Sequence, residues 1–218
     1  MKPSVFHARA GDSPERQIVR YLGPTSAGHF ITPLEVPTRL DRSDGDVHAA
    51  GNPHIQQDPR NIALIAKALT DRLAQVDPAN AKTYQDRYAA FSARWAEAMK
   101  KWDQQAQPLK GLTVVAHHKN MNYLWNWLGM REVATLEPKP GVEPSAGHLS
   151  ELNAQLAAHP AKMVVRAAYQ DARASEWLAE HAHIPAVNLP FTVGGNDKAT
   201  DLFGLFDSTL ALLLGAAK

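Results

Sequence analysis

The sequence predicts an α/β protein: a parallel four-stranded sheet lobe with flanking helices, joined by long linking helices to an incomplete N-terminal lobe. One observation is that short β-branched or apolar runs alternate with helical patterns after Gly111. At this spacing, such alternation is typical of βαβ units. The other is a pair of helix-start signals, Asp58-Pro59 and Asp77-Pro78, each followed by a long segment with helical periodicity.

Residues 1–50 show little periodicity and are rich in glycine and proline. Only Glu15 to Leu22 and Phe30 to Val36 are predicted to form short elements there. The pattern changes at Asp58, whose side chain suits the N-cap position of a helix. The proline that follows it suits the first helical position, where its missing N–H costs nothing.

Two long helices are predicted next. Apolar residues recur at helical spacing from Ile62 to Leu73. A longer helix, from Ala79 to about Gln107, carries aromatic and methionine side chains on one face: Tyr84, Tyr88, Phe91, Trp95, Met99 and Trp102. Such a stripe can stack on a ligand, but packing against a core is its commoner role. We interpret this face as buried.

The second half of the chain supplies the predicted sheet. The strands are Thr113–Ala116, Glu132–Leu136, Met163–Ala167 and Ala186–Leu189. The helical patterns between and after them are Tyr123–Leu128, His148–Ala158, Ala174–His181 and Leu202–Leu214. In parallel sheets of this class, ligands bind beyond the carboxyl ends of the strands. Residues that directly follow the strands are therefore the first candidates for a site.

Composition limits the partners of this protein. With 23 Lys+Arg against 22 Asp+Glu, no basic surface suited to nucleic acid is predicted. No apolar run approaches the ~18 residues of a membrane span, so we expect a chain that does not itself cross the membrane. The absence of cysteine excludes disulfides and thiolate zinc ligands.

Two histidines occupy positions where the backbone should be rigid. His54 lies between Pro53 and the capped helix, and His118 follows the first predicted strand in the pair His117-His118. Imidazoles fixed at the ends of rigid elements suit a transition-metal site. Adjacent strand residues point to opposite faces, so only one of the paired histidines should reach the cleft.

Four further residues are open to both a metal-binding and a structural interpretation. His48 is either a metal-capturing residue or a solvated one. Glu137 and Glu143, in a proline-rich loop after the second strand, are possible direct ligands. Asp197 is either a carboxylate ligand or, as we favour, the cap of the last helix.

These residues resemble the solute-binding proteins of zinc and manganese ABC transporters. A Pro-His pair followed by Asp-Pro at a helix start is a hallmark of that family, and it is seen here from Pro53 to Pro59. A strand that ends in histidine before an aromatic-rich helix and a glycine is a second hallmark, seen from Val115 to Gly129. The run from Glu143 to Ala146 also looks like the family. The resemblance covers roughly residues 34 to 214.

The resemblance implies two α/β lobes joined by a long helix, with a divalent metal between the lobes. It divides the chain into a remnant of the first lobe with the interlobe loop (1–58), linking helices (59–110) and a C-terminal metal-binding lobe (111–218), so that most of the N-terminal lobe is lacking. It selects His54 and His118 as metal ligands. It also places Val193 near a position where some relatives carry an acidic ligand.

The implied function is to capture a divalent metal in the periplasm and to deliver it to the membrane permease of an ABC transporter, without catalysis. The signal peptide of a periplasmic protein is not present in this chain. Two imidazoles favour Zn²⁺ over Mn²⁺, which prefers oxygen-rich sites. The alternatives are a metal-dependent hydrolase with an unfamiliar site and a truncated fragment that no longer binds metal tightly.

Overall fold

The structure, a computed structural model, describes residues 27–39, 45 and 48–218. The predicted element from Glu15 to Leu22 lies outside these residues. The predicted element from Phe30 to Val36 is wrong, because a 3₁₀ turn covers Ala27–Phe30 and no helix or strand follows it through residue 39. Pro33 and Pro37 explain the difference, since proline has no N–H to donate to a helix or to a strand ladder.

A four-stranded parallel sheet forms the centre of the described chain and confirms the predicted fold class. Its strands are β1 (Thr113–Ala116), β2 (Arg131–Thr135), β3 (Met163–Ala167) and β4 (Ala186–Leu189), in the spatial order β2-β1-β3-β4. Strand β2 lies one residue earlier than predicted, because the Arg131 N–H donates to the Leu112 carbonyl at 2.9 Å and so opens the ladder.

Six α-helices accompany the sheet within the described residues. They are α1 (Pro59–Val76), α2 (Ala81–Gln105), α3 (Asn122–Leu128), α4 (Ala146–Ala158), α5 (Arg173–Ala182) and α6 (Leu202–Ala216). Asp58 caps α1 as predicted, accepting the Arg60 N–H at 2.8 Å. Pro78 instead opens a short 3₁₀ turn from which α2 continues. Within this described part, no helix has both the length and the apolar content that crossing a membrane requires.

The two faces of the sheet pack against two separate cores, because successive strand residues point to opposite sides. Val114 and Val165 belong to the core formed with α2, α3 and α6. Val115 and Val164 belong to the core formed with α4 and α5. The carboxyl edge of the sheet is thus held from both sides, which gives the loops that follow the strands a rigid base.

The aromatic stripe of α2 is only partly a core face. Trp95 and Trp102 are buried, with 1% and 0% of their surface exposed. Other members of the stripe line an open groove of about 710 Å³, among them Tyr88, Phe91 and Met99. The prediction of a buried face is therefore confirmed for the two tryptophans, while Phe91 and Met99 are partly buried and pack against the same core as they line the groove.

Candidate functional site

The loop that carries His54 is shaped by a glycine and an asparagine. Gly51 has φ +91°, and a Cβ atom there would lie 2.6 Å from the Leu34 carbonyl oxygen, so only glycine fits. The Asn52 N–H donates to the same oxygen at 2.8 Å. Asn52 Oδ1 in turn accepts the His54 backbone N–H at 3.0 Å. This Asx turn sets the direction in which the chain presents His54.

The His54 ring is held in one tautomer. Its Nδ1 lies 2.8 Å from Asn52 Oδ1. An amide oxygen can only accept a hydrogen bond, so Nδ1 carries the hydrogen and donates it. The lone pair of the neutral ring is therefore on Nε2, the nitrogen that faces away from Asn52.

His118 follows β1 and is held in the same way by a carboxylate. Its Nδ1 lies 2.7 Å from Glu137 Oε2, in the loop after β2. The same carboxylate oxygen accepts the Gly141 N–H at 2.8 Å, which fixes its position. With Nδ1 donating to Glu137, the lone pair of a neutral His118 is on Nε2. A carboxylate behind an imidazole is an arrangement that orients metal-binding histidines in proteins.

The rings of His54 and His118 meet at the carboxyl edge of the sheet. Their centroids are 5.9 Å apart and their planes are inclined by 82°. Phe191, from the loop after β4, also contacts His54, at a centroid distance of 5.9 Å. Tyr169 packs against Phe191 at 5.3 Å. The histidine pair therefore has an aromatic wall, which Gln57 secures by donating its Nε2–H to the Phe191 carbonyl at 2.8 Å.

Burial lowers the pKa of His54 from 6.5 to about 4. Loss of water around the charged imidazolium is the largest cause; the neighbouring His118 and His48 lower the pKa further, and Glu35 opposes them. At pH 7 the ring is consequently neutral. Its Nε2 lone pair is then available to a metal ion without displacement of a proton.

The metal-free protein should lose stability as the pH falls from about 6.5 to about 4. In that window the unfolded chain takes up a proton on His54 and the folded chain does not, so protons favour unfolding. Allowing for the water that still reaches the ring, we expect a loss of about 1–2 kcal/mol. Chemical denaturation of the native chain and of His54→Gln at pH 7 and pH 4.5 measures it. An equal loss in both proteins would contradict the prediction.

His117 lies on the other side of the sheet from His118. It is 6% exposed, and its N–H donates to the Val165 carbonyl at 2.8 Å, which extends the pairing of β1 with β3. Burial is the main cause that lowers its pKa. The side chain lines a cavity of about 360 Å³ between the first turns of α4 and α5. The alternation of strand residues thus separates the two adjacent histidines, as predicted.

The other predicted candidates take different positions. His48 is exposed and lies near enough to His54 to lower its pKa. Glu137 contacts His118, whereas Glu143 lines the cavity beside His117. Over residues 27–39, 45 and 48–218, no group of three or more His, Asp or Glu side chains is placed to hold a metal ion. The described site is therefore a pair of imidazoles.

The loop after β4 differs from expectation at two residues. Asp197 is exposed, and the prediction that it caps the last helix is wrong: Asp201 caps α6, accepting the Gly204 N–H at 2.7 Å. An N-cap directly precedes the first helical residue, and Asp197 lies too early. Val193, near the expected position of an acidic ligand, is 45% exposed, and the residue of this loop that contacts His54 is Phe191.

Two residues that shape the site, Asn52 and Phe191, are absent from the predicted candidates. The Asn-Pro-His run contains a signal for Asn52, since asparagine often hydrogen-bonds the backbone N–H two residues on. For Phe191 the signal is its place two residues after β4, at the sheet edge where a site is expected, but nothing local indicates that its ring contacts His54. Its position depends on the β4 loop reaching Gln57, 134 residues away in the sequence.

Comparison with known proteins relates this chain to a family. A family model described as zinc-uptake complex component A, periplasmic, matches residues 13–215. The chain is 25% identical over 122 residues to the high-affinity zinc uptake system protein ZnuA of Yersinia pestis, covering 56% of this chain and 38% of that protein. It is 26% identical over 112 residues to the zinc-binding lipoprotein AdcA of Streptococcus pneumoniae, covering 51% and 22%. The matched part is less than two fifths of either relative.

Solved structures share the fold at low sequence identity. A crystal structure of ZnuA superposes with a TM-score of 0.67 at 22% identity, covering 86% of this chain and 68% of that one. A periplasmic metal-binding protein from Candidatus Liberibacter asiaticus gives 0.68 at 16% identity, covering 88% and 70%. The laminin-binding adhesin of Streptococcus agalactiae gives 0.66 at 19%, covering 86% and 69%.

Proposed function

This chain belongs to the family of the periplasmic zinc-uptake complex component A, and we propose that it is the solute-binding component of a metal ABC importer. In this role it captures a divalent metal ion, most readily Zn²⁺, in the periplasm. It then delivers the ion to a membrane permease, which carries it across the membrane. The metal is cargo, and the chain catalyses no reaction on it.

The observation that carries this proposal is the pair of neighbouring imidazoles. His54 and His118 both use Nδ1 to donate a hydrogen bond, to Asn52 and to Glu137. Both therefore offer Nε2 as the donor atom, and their rings lie 5.9 Å apart. We assign these two side chains as the metal ligands, with Glu137 and Asn52 as the groups that orient them.

The donor set favours zinc. Both proposed ligands are imidazole nitrogens, which suit Zn²⁺ better than Mn²⁺. The curated relatives are named for zinc uptake or zinc binding. The Liberibacter protein, in contrast, has been solved with cadmium bound and, as a variant, with manganese bound. Because the solved neighbours do not agree on one metal, we infer the preference for zinc from the two imidazole donors of this chain.

The proposed division of the chain follows from the same function. Residues 1–58 contain the loop with His54. Residues 59–110 form the linking helices, and residues 111–218 form the lobe that supplies His118. In this arrangement the ion lies between the loop of the first part and the sheet edge of the last.

Titration calorimetry with ZnCl₂ at pH 7 tests the proposal. We expect one site per chain that binds more weakly than the nanomolar range, because closed zinc sites use four ligands and only two imidazoles are assigned here. MnCl₂ under the same conditions should bind more weakly than zinc.

Three results would count against this assignment. No zinc binding would overturn the function itself. One nanomolar site would show that further side chains complete the coordination, with His48, near His54, as the first to replace. Metal-dependent turnover in a panel of esters and phosphoesters would favour the hydrolase alternative instead.

A further inference from the structure

The Asn52 side chain connects the histidine pair to its surroundings. It is 9% exposed, and its amide makes four hydrogen bonds. The oxygen accepts from the backbone N–H of His54 at 3.0 Å and from its ring Nδ1 at 2.8 Å. The amide nitrogen donates to Glu35 Oε2 at 2.8 Å and to the Lys119 carbonyl at 2.7 Å. Both donors and both acceptor positions of the amide are thus used.

These bonds connect the two loops that carry the imidazoles. The Lys119 carbonyl belongs to the residue directly after His118, so Asn52 ties the His118 loop to the His54 loop. The backbone of Asn52 is fixed as well, because the Tyr123 hydroxyl donates to its carbonyl at 3.1 Å. Asn52 therefore has little freedom to follow either loop alone.

Glu35 secures the orientation of the amide. Its carboxylate accepts one amide hydrogen and can only accept, so the nitrogen of Asn52 must face it and the oxygen must face His54. Glu35 has φ +53°, a left-handed conformation that side-chain-bearing residues seldom adopt. A residue is held in such a conformation only when its surroundings determine it, and the bond to Asn52 is one such determinant.

We propose that Asn52 is the positioning residue of the metal pair: it fixes His54 in the Nδ1–H tautomer and holds the His54 loop in register with the His118 loop. This inference rests on the proposed function for the identity of the ligand. The tautomer itself exists without metal and can be measured without it. In this proposal Asn52 is not itself a ligand, because its oxygen is bonded to His54 Nδ1, whereas the ion is bound through Nε2 on the other side of the ring.

The test compares Asn52→Ala with the native chain in two measurements. Long-range ¹H–¹⁵N NMR of the metal-free protein at pH 7 reports which ring nitrogen of His54 carries the hydrogen. We expect Nδ1–H in the native chain and a shift toward Nε2–H, the form that free histidine favours, in the variant. Calorimetry should then show Zn²⁺ affinity lowered by about 10–100-fold, as for other groups that orient metal ligands.

Asn61→Ala is the matched control. Asn61 is also 9% exposed and donates its amide hydrogen to the Ile55 carbonyl at 2.9 Å, in the segment that follows His54. Its removal should lower stability but leave the His54 tautomer and the zinc affinity unchanged. A merely structural role for Asn52 would give the same pattern in both variants, and an unchanged tautomer in Asn52→Ala would overturn the proposal.

A double variant keeps the proposal testable if Asn52→Ala fails to fold. Asn52→Asp with Glu35→Gln reverses donor and acceptor between the two side chains and retains an oxygen for His54 Nδ1, but it removes the hydrogen that the Lys119 carbonyl accepts. The folded double variant should therefore keep the native tautomer while its zinc affinity falls, because the tie to the His118 loop is lost; loss of the tautomer in the folded double variant would overturn the proposal. If the native chain binds no zinc but the tautomer changes in Asn52→Ala, the proposed function fails while the positioning role stands.

Discussion

Replacing either His54 or His118 with alanine should lower Zn²⁺ affinity by at least about 100-fold. Loss of a group that merely orients a ligand already costs about 10–100-fold, and each of these changes removes a proposed ligand itself. The other imidazole would then be the only assigned protein donor. Calorimetry at pH 7 on the two variants, with circular dichroism to confirm folding, measures the effect.

His117→Ala is the control for this prediction, because it removes the same side chain one residue away. His117 is buried on the opposite side of the sheet, so its loss should reduce stability and leave zinc affinity within a few-fold of native. If His117→Ala abolishes binding and His118→Ala does not, the assigned register at the end of β1 is wrong by one residue.

Trp102→Ala should destabilise the fold by about 3–5 kcal/mol, the usual cost of removing a fully buried aromatic side chain. Trp102 is 0% exposed and packs against Trp95 and Phe206 at ring distances of 5.2 Å and 5.1 Å. Its indole N–H also donates to Asp207 Oδ1 at 2.7 Å. For a chain of this size, thermal unfolding should shift downward by roughly 10 °C.

Trp127→Ala provides the comparison for Trp102. Trp127 belongs to the same aromatic cluster but is only partly buried, and its indole donates to Asp103 at 2.8 Å. We expect a clearly smaller loss of stability. Both variants should retain native zinc affinity at a temperature where they are folded, since neither residue contacts the histidine pair. Equal destabilisation would show that the depth of burial does not determine the stability lost with each tryptophan.

Much of the sheet could be predicted because its strands have local signals. The runs Thr113–Ala116, Met163–Ala167 and Ala186–Leu189 are strands with the predicted bounds, since each is a short run rich in apolar and β-branched residues between helical patterns. The face of α2 was harder to predict. Helical spacing identifies an apolar face, but which part of it is covered depends on α6 and the sheet, which follow much later in the sequence.

The resemblance to the metal solute-binding proteins selected His54 and His118, and sheet geometry alone would not have paired them. Geometry does account for Glu137: carboxyl ends of parallel strands share one edge, so a residue after β1 and one after β2 should lie close together, and His118 and Glu137 do. The role of Glu137 was not determined by this geometry, because a carboxylate at that edge can contact either an ion or an imidazole. Phe191 also follows a strand at this edge, but that position does not indicate that its ring packs on His54, and it was missed.

Under the proposed function, ligation by only two imidazoles would have a kinetic consequence. A metal ion held through two Nε2 atoms would keep coordination positions that the assigned side chains do not fill. A donor atom from an acceptor protein could enter such a position before either imidazole left. The ion could then pass by stepwise ligand exchange, with no stage at which it is fully hydrated and lost to the surrounding solution. Transfer to the acceptor would therefore be faster than spontaneous dissociation.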